Sequence, residues 1–161
     1  EHPLQQEDPS DRIGAHPHRL EDPDLARIVA HDHRFKAAFA QRGVYELATF
    51  MGEANAWRLA PNYFGLPWED EAVTKMKANS PYTFVDKIKT PLLIKHGEND
   101  LRTGVSQSEM MFRSLKYLNK EVEYVRMPGG THELSRSGNV RQRMDRILRI
   151  YEFFERYVGT N

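Results

Sequence analysis

The stretch Pro91-Leu-Leu-Ile-Lys-His-Gly-Glu-Asn-Asp100 constrains the fold more than any other part of this chain. Residues 91–95 form a short, nearly continuous apolar run that breaks at Gly97. A strand without polar alternation is buried on both faces, which is typical of parallel sheets covered by helices on either side. The neighbouring segments agree. Phe35–Gln41 reads as a strand closed by Gly43, residues 105–118 as a helix with Met111, Leu115 and Leu118 on one face, and Glu121–Met127 as the next strand. Residues 139–158 read as a last helix ended by Gly159. Val140, Met144, Ile147, Tyr151, Phe154 and Val158 mark its apolar face, and Asp145/Arg149 and Glu152/Arg156 form i,i+4 pairs on the other. Strand, helix, strand, helix with short links implies an α/β fold with parallel strands and right-handed crossovers.

Residues 1–24 are different. Pro3, Pro9, Pro17 and Pro23 punctuate a polar stretch with Leu4, Ile13 and Leu20 as its sizeable apolar side chains. So little apolar surface does not offset chain entropy, and a flexible leader is expected. The remainder, 25–161, is expected to be one domain, its first helix starting near Asp22 with Pro23 in the first turn and running through Leu25, Ile28 and Val29. Residues 44–80 are aromatic-rich and read as irregular or short-helical. The chain opens on Glu1 rather than Met and is expected to be a processed, cleaved or recombinant piece.

Composition removes several function classes. Lys+Arg and Asp+Glu balance at 23 each, so no global electrostatic case exists for nucleic acid or an anionic membrane. With no cysteine, disulfides, thiolate zinc sites and a cysteine nucleophile are excluded. No apolar stretch is long enough for a transmembrane helix, and none resembles a signal peptide. These features lean towards a cytoplasmic protein. The Arg-rich stretch Arg136–Arg149 reads as the solvated face of the last helix. His16-Pro-His18 and His31-Asp-His33 could share a metal on an extended segment, but such short pairs are common by chance, and no metal is assigned.

Asp100 follows one strand, and His132, in Pro128-Gly-Gly-Thr-His132, follows the next. That is the order in which α/β-hydrolases place the acid and base of a Ser…Asp…His triad. The serine should come first, on a tight Gly-x-Ser-x-Gly turn, and no such pentapeptide occurs in the sequence.

Over about four fifths of its length the chain resembles the catalytic domain of the prolyl oligopeptidase family, especially its acylaminoacyl-peptidase and dipeptidyl-peptidase branch. The resemblance is carried, in order, by His33-Arg-Phe-Lys-Ala-Ala-Phe-Ala-Gln-Arg42, Gly65-Leu-Pro-Trp-Glu69, Asn79-Ser-Pro-Tyr-Thr-Phe84 and Ile88-Lys-Thr-Pro-Leu-Leu-Ile94. It continues through His96-Gly-Glu-Asn-Asp-Leu-Arg102, Gln107-Ser-Glu-Met110 and Gly130-Thr-His-Glu-Leu-Ser135. It implies a partial α/β-hydrolase fold, parallel strands with flanking helices, lacking the N-terminal half that bears the nucleophile elbow. Residues 16–25, where the elbow would be expected, hold neither the serine nor the glycines of a sharp strand-to-helix turn.

The same resemblance implies that Asp100 is the triad acid and His132 the base. A serine hydroxyl is a poor nucleophile near neutral pH and needs a base at hydrogen-bond distance. A histidine suits that role, and the acid fixes its tautomer and stabilises the imidazolium. Arg102, in the family's Asp-x-Arg, is expected to organise the acid loop by ion pairing, with substrate contact as the lesser role. Tyr45, Trp57 and Trp68 belong to an aromatic cluster where the family builds part of its substrate pocket, and are the candidate substrate-binding rings. In Gly104-Val-Ser-Gln-Ser108, Ser106 reads as an N-cap or the stretch as a solvated helix face, Ser135 and Ser137 read as turn residues, and Glu69 as a helix N-terminal carboxylate.

Three functions follow. The leading one is a serine peptidase acting on short peptides, with the nucleophile supplied by a missing N-terminal part or a second chain and with no cofactor. The alternatives are an esterase or acyl hydrolase on the same fold, and a non-catalytic remnant that self-associates. The isolated chain is expected to be oligomeric or marginally stable, because the strand at Phe35–Gln41 would be left with an exposed edge.

Overall fold

The computed structural model describes residues 25–158. The 1–24 leader, with His16, His18 and the expected helix start at Asp22, lies outside them, as does Gly159. Helix α1 (Leu25–His31) leads into strand β1 (Ala38–Gln41). Three short helices follow: α2 (Leu47–Glu53), α3 (Leu59–Phe64) and α4 (Asp70–Asn79). A 3₁₀ segment (Pro81–Lys87) then precedes strand β2 (Leu92–Gly97), helix α5 (Val105–Tyr117), strand β3 (Val122–Met127) and helix α6 (Val140–Val158).

The three strands form a parallel sheet in the order β1-β2-β3. Ala38 lies opposite Leu92, and Leu92 opposite Val122, so the carboxyl ends of β2 and β3 finish side by side at Gly97 and Met127. Every residue of β2 is buried, as its unbroken apolar run predicts. The core joins Phe39, Leu92, Leu93 and Ile94 to Val29, Met111, Leu115, Ile150 and Phe153 of the flanking helices.

Local chemistry sets the element ends. The Glu46 carboxylate accepts the Ala48 and Thr49 main-chain N–H groups at 3.2 and 2.6 Å and so starts α2. Gly65, at φ +94°, ends α3, and Asn119, at φ 53°, turns the chain out of α5. Residues 44–80 are thus short-helical rather than irregular.

Several expectations need correction. Strand β1 is shorter than Phe35–Gln41: it starts at Ala38, and Phe35 packs against the core from the preceding turn. Among the described residues it pairs with β2 alone and so stands at an edge of the sheet, as expected, although the side chains of its four residues are buried. Leu118 caps α5 in a partly solvated position instead of packing beside Met111 and Leu115. Helix α6 is rotated relative to its expected face. It buries Arg146, Ile150 and Phe153, with Phe154, Tyr157 and Val158 half-buried, while Val140, Met144, Ile147 and Tyr151 face solvent. The sequence carries two adjacent apolar stripes, and the sheet takes the one bearing aromatic rings. Arg146 is accordingly no part of a solvated arginine face. Its Nε donates to Gln41 Oε1 at 2.5 Å and its guanidinium lies 5.6 Å from the Phe39 ring centre. The Asp145/Arg149 pair forms at 2.9 Å, but Arg156 reaches across to Glu123 on β3 rather than back to Glu152.

Candidate active site

The register of the sheet decides where the chemistry falls. Because β2 and β3 end together, the loops that follow them leave the same edge of the sheet, where open α/β folds bind ligands. Two glycines let those loops touch. A Cβ on Gly97 would run into the Gly130 carbonyl, so only glycine fits that crossing. Gly129 adopts φ +66°, the left-handed turn that brings the second loop back over the edge. The loops are then stitched together: Glu98 N donates to Met127 O at 2.9 Å and Asn99 N to Gly130 O at 2.8 Å, while the Glu98 carboxylate accepts Gly129 N at 3.1 Å.

On this double loop Asp100 and His132 meet. Asp100 is buried, and its Oδ2 lies 2.9 Å from His132 Nδ1. An ionised carboxylate can only accept, so the neutral imidazole carries its proton on Nδ1 and leaves Nε2 as a free base. Asp100 Oδ1 accepts the main-chain N–H groups of Arg102 and Thr103, both at 2.9 Å, and Oδ2 accepts the Thr103 hydroxyl at 3.1 Å. Burial pushes the Asp100 carboxyl up. Hydrogen bonds from His96, the Thr103 N–H and His132 outweigh that and hold it well below the usual carboxylate range.

His96 supports this arrangement from within the core. Its Nε2 lies 2.8 Å from the Thr103 carbonyl, which can only accept, so Nε2 bears a proton; the same nitrogen is 3.4 Å from Asp100 Oδ2. Its Nδ1 sits 2.6 Å from Ser108 Oγ. Ser108 is therefore a buried partner of His96 and not a solvated residue, and Ser106 bonds the Glu53 carboxylate instead of capping α5. Arg42, at φ 57°, donates from its guanidinium to the His132 carbonyl, and its own carbonyl lies 3.3 Å from the Thr103 hydroxyl oxygen, whose proton goes to Asp100. Buried Gln107 accepts Tyr45 N and Glu46 N, both at 2.8 Å, and so ties the loop after β1 to α5.

His132 opens into a groove of about 570 Å³, shared with Arg42, Arg102, Phe50, Tyr63 and Phe64 among others. The candidate substrate residues divide around it. Arg102 lines the groove, but among the described residues its side chain has no ion-pair partner; its main-chain N–H, not its guanidinium, organises the acid loop. Trp57 borders an adjoining depression of about 710 Å³ that also reaches Arg102. Trp68 is largely exposed and lines neither space, and Tyr45 is a core residue at 1 % exposure with its phenol pKa raised by burial. The groove rings are instead Phe50, Tyr63 and Phe64, from the same aromatic cluster. Glu69 stands at the N-terminus of α4, and its carboxylate turns back to accept Leu66 N at 3.0 Å.

Among the described residues no three His, Asp or Glu side chains are arranged to hold a metal ion; the His31 ring packs on Phe84 with centres 4.7 Å apart. No helix among them is long and apolar enough to cross a membrane.

A sequence model of the prolyl oligopeptidase family matches residues 25–161. The chain belongs to the prolyl oligopeptidase family. Similar members include the uncharacterized peptidase YuxL of Bacillus subtilis, 36 % identical over 136 residues that cover 81 % of this chain and 20 % of that one. Dipeptidyl-peptidase 5 of Porphyromonas endodontalis is 34 % identical over 105 residues, 63 % of this chain and 15 % of the relative. Among solved structures, Pyrococcus horikoshii acylaminoacyl peptidase superposes with a TM-score of 0.76 at 30 % identity, over 84 % of this chain and 22 % of that one. The chain thus spans about a fifth of the length of these family members, and its parallel sheet corresponds to a portion of the α/β-hydrolase domain.

Proposed function

We propose that this chain contributes the acid and the base of a serine peptidase that hydrolyses short peptides by acyl transfer. The observation that carries the reading is the 2.9 Å contact of His132 Nδ1 with buried Asp100, which leaves Nε2 unprotonated on a ring that lines the groove. In the first step a serine Oγ forms a bond to the scissile carbonyl carbon while its proton passes to His132 Nε2. The carbon–nitrogen bond then breaks, and Nε2 returns the proton to the leaving amine. Water repeats the sequence on the acyl-enzyme. Asp100 holds the ring and offsets the imidazolium charge throughout. No Gly-x-Ser-x-Gly turn occurs among the 161 residues, so the serine and the oxyanion donors come from another segment or another chain. Phe50, Tyr63 and Phe64 offer an apolar wall for a substrate side chain, and Arg102 a cation for a substrate carbonyl; Trp57 extends that surface.

A chimera tests the proposal. Residues 25–161 replace the matching segment of Pyrococcus horikoshii acylaminoacyl peptidase, and hydrolysis of an N-acyl peptide substrate is measured. Activity that falls by at least a hundredfold in both Asp100→Asn and His132→Ala supports the reading. A folded chimera that is inactive, or equally active in those variants, contradicts it.

A further inference from the structure

The charge of the groove is one-sided, although the charge of the chain is not. Lys+Arg and Asp+Glu balance at 23 each. Yet the walls of the groove and of the adjoining depression carry Arg27, Arg42, Arg58 and Arg102 and, among the described residues, no aspartate or glutamate. Asp100 is not on these walls: it is buried behind His132, with both oxygens engaged. Elsewhere in the fold arginines close on carboxylates. Arg113 and Arg126 share Glu109, and Arg149 pairs with Asp145.

The groove arginines are held by neutral groups instead. Arg27, half-buried on α1, donates from Nη1 to the amide oxygen of Asn79 at 3.0 Å. Arg42 is buried and directs a donor to the His132 carbonyl. Arg58 lies 5.1 Å from the centre of the Trp57 ring. Arg102 is exposed and lines both spaces, so it stands where they join. Neutral partners fix a guanidinium in place without offsetting its charge, and a cleft lined by one sign of charge draws in the opposite sign. The planar fork of Arg102 matches a carboxylate with two parallel hydrogen bonds, whereas a single carbonyl oxygen leaves its charge uncompensated. On the reading that the groove receives substrate, we infer that it selects short peptides bearing a carboxylate close to the side chain that packs on Phe50, Tyr63 and Phe64. Arg102 makes the contact, and Arg27 adds to the field that attracts it. The carboxylate comes from an acidic side chain or from the peptide's own C-terminus.

The test is an NMR titration of the ¹⁵N-labelled chain with acetyl-Phe-Glu-amide, acetyl-Phe-Gln-amide and acetyl-Phe-Gln with a free C-terminal carboxylate. Binding needs no serine, so the result is independent of the peptidase reading. An inactive chimera beside a chain that prefers the acidic peptides refutes the catalysis and leaves the selectivity standing. At least one carboxylate-bearing peptide is expected to bind about tenfold tighter than the doubly capped amide, and which of the two does so identifies the source of the carboxylate. The preference should shrink as salt is raised. Arg102→Gln, at an exposed position, is expected to remove most of it, and Arg102→Lys to keep part, because the charge remains without the fork. Arg27→Gln is expected to reduce it about threefold. Equal affinity for all three peptides, or binding of none, overturns the inference. So does a preference that persists in the Arg27→Gln/Arg102→Gln double variant.

Discussion

The carboxyl edge of the sheet and the outer face of α6 are specified in opposite ways. At the edge nearly every polar atom has an assigned partner: Asp100 accepts from Thr103, Arg102 and His132, Glu98 closes on Gly129, and His96 bridges Ser108 and Thr103. Directional bonds and two glycines leave that region one arrangement. The outer face of α6 has area but little direction, because its side chains stay exposed and its flanking charges have no counterpart among the described residues. A site of fixed geometry is determined within the chain, whereas an apolar stripe is determined by what covers it.

The contrast predicts a descending series of effects on unfolding in urea. Asp100→Ala should be the most damaging, at about 4 kcal/mol, because it strands buried donors that now converge on one carboxylate. The wild-type contribution of Asp100 has a definite sign with pH. Its folded pKa is depressed, so the contribution is complete above the ordinary carboxylate range and fades only as pH falls towards the lowered folded value. Loss of acid-loop stability at pH 5 would break this. Gly97→Ala should cost about 2–3 kcal/mol, since its methyl meets the Gly130 backbone, which cannot swing aside as a side chain could. A neutral outcome would mean the two loops are not in contact.

Lys95 sharpens the comparison from inside the same strand. Like Asp100 it is a buried charge on the β2 segment, but its Nζ has no hydrogen bond, and its carboxylate neighbour, Asp145, is 3.5 Å away. Burial lowers its pKa from 10.5 to about 8. Below about pH 8 the folded chain must hold a poorly compensated ammonium; between about 8 and 10.5 the unfolded chain binds more protons, and stability rises with pH. Lys95→Met should therefore stabilise the protein at pH 7 by about 1 kcal/mol and flatten that alkaline rise. The smallest effect belongs to α6: Ile147→Glu should change monomer stability by less than about 0.5 kcal/mol, because the side chain is more than half exposed.

The two regions were also unequally legible in the sequence. The order of strands and helices, the break at Gly97, the double glycine before Thr131 and the positions of Asp100 and His132 are local patterns, and the structure retains them. Thr103, His96, Arg42 and Gln107 escaped notice as site residues. Arg42 acts on His132 and Gln107 on Tyr45 across the fold, and no spacing rule links residues so far apart in the chain, whereas Thr103 and His96 lie within four residues of Asp100 and carry no motif that marks them as its partners. The α6 face was misassigned because periodicity counts apolar positions without saying which of two neighbouring stripes meets the sheet. Tyr45 was misplaced for a related reason: an aromatic ring suits a core as well as a pocket.

The protonation of the His132 ring tests the central claim most directly. Long-range proton–nitrogen NMR on the ¹⁵N-labelled chain at alkaline pH should show the proton on Nδ1 and a bare Nε2, with that preference lost in Asp100→Asn. A neutral ring protonated on Nε2, or one indifferent to the Asp100 substitution, would contradict the pairing on which the catalytic reading rests.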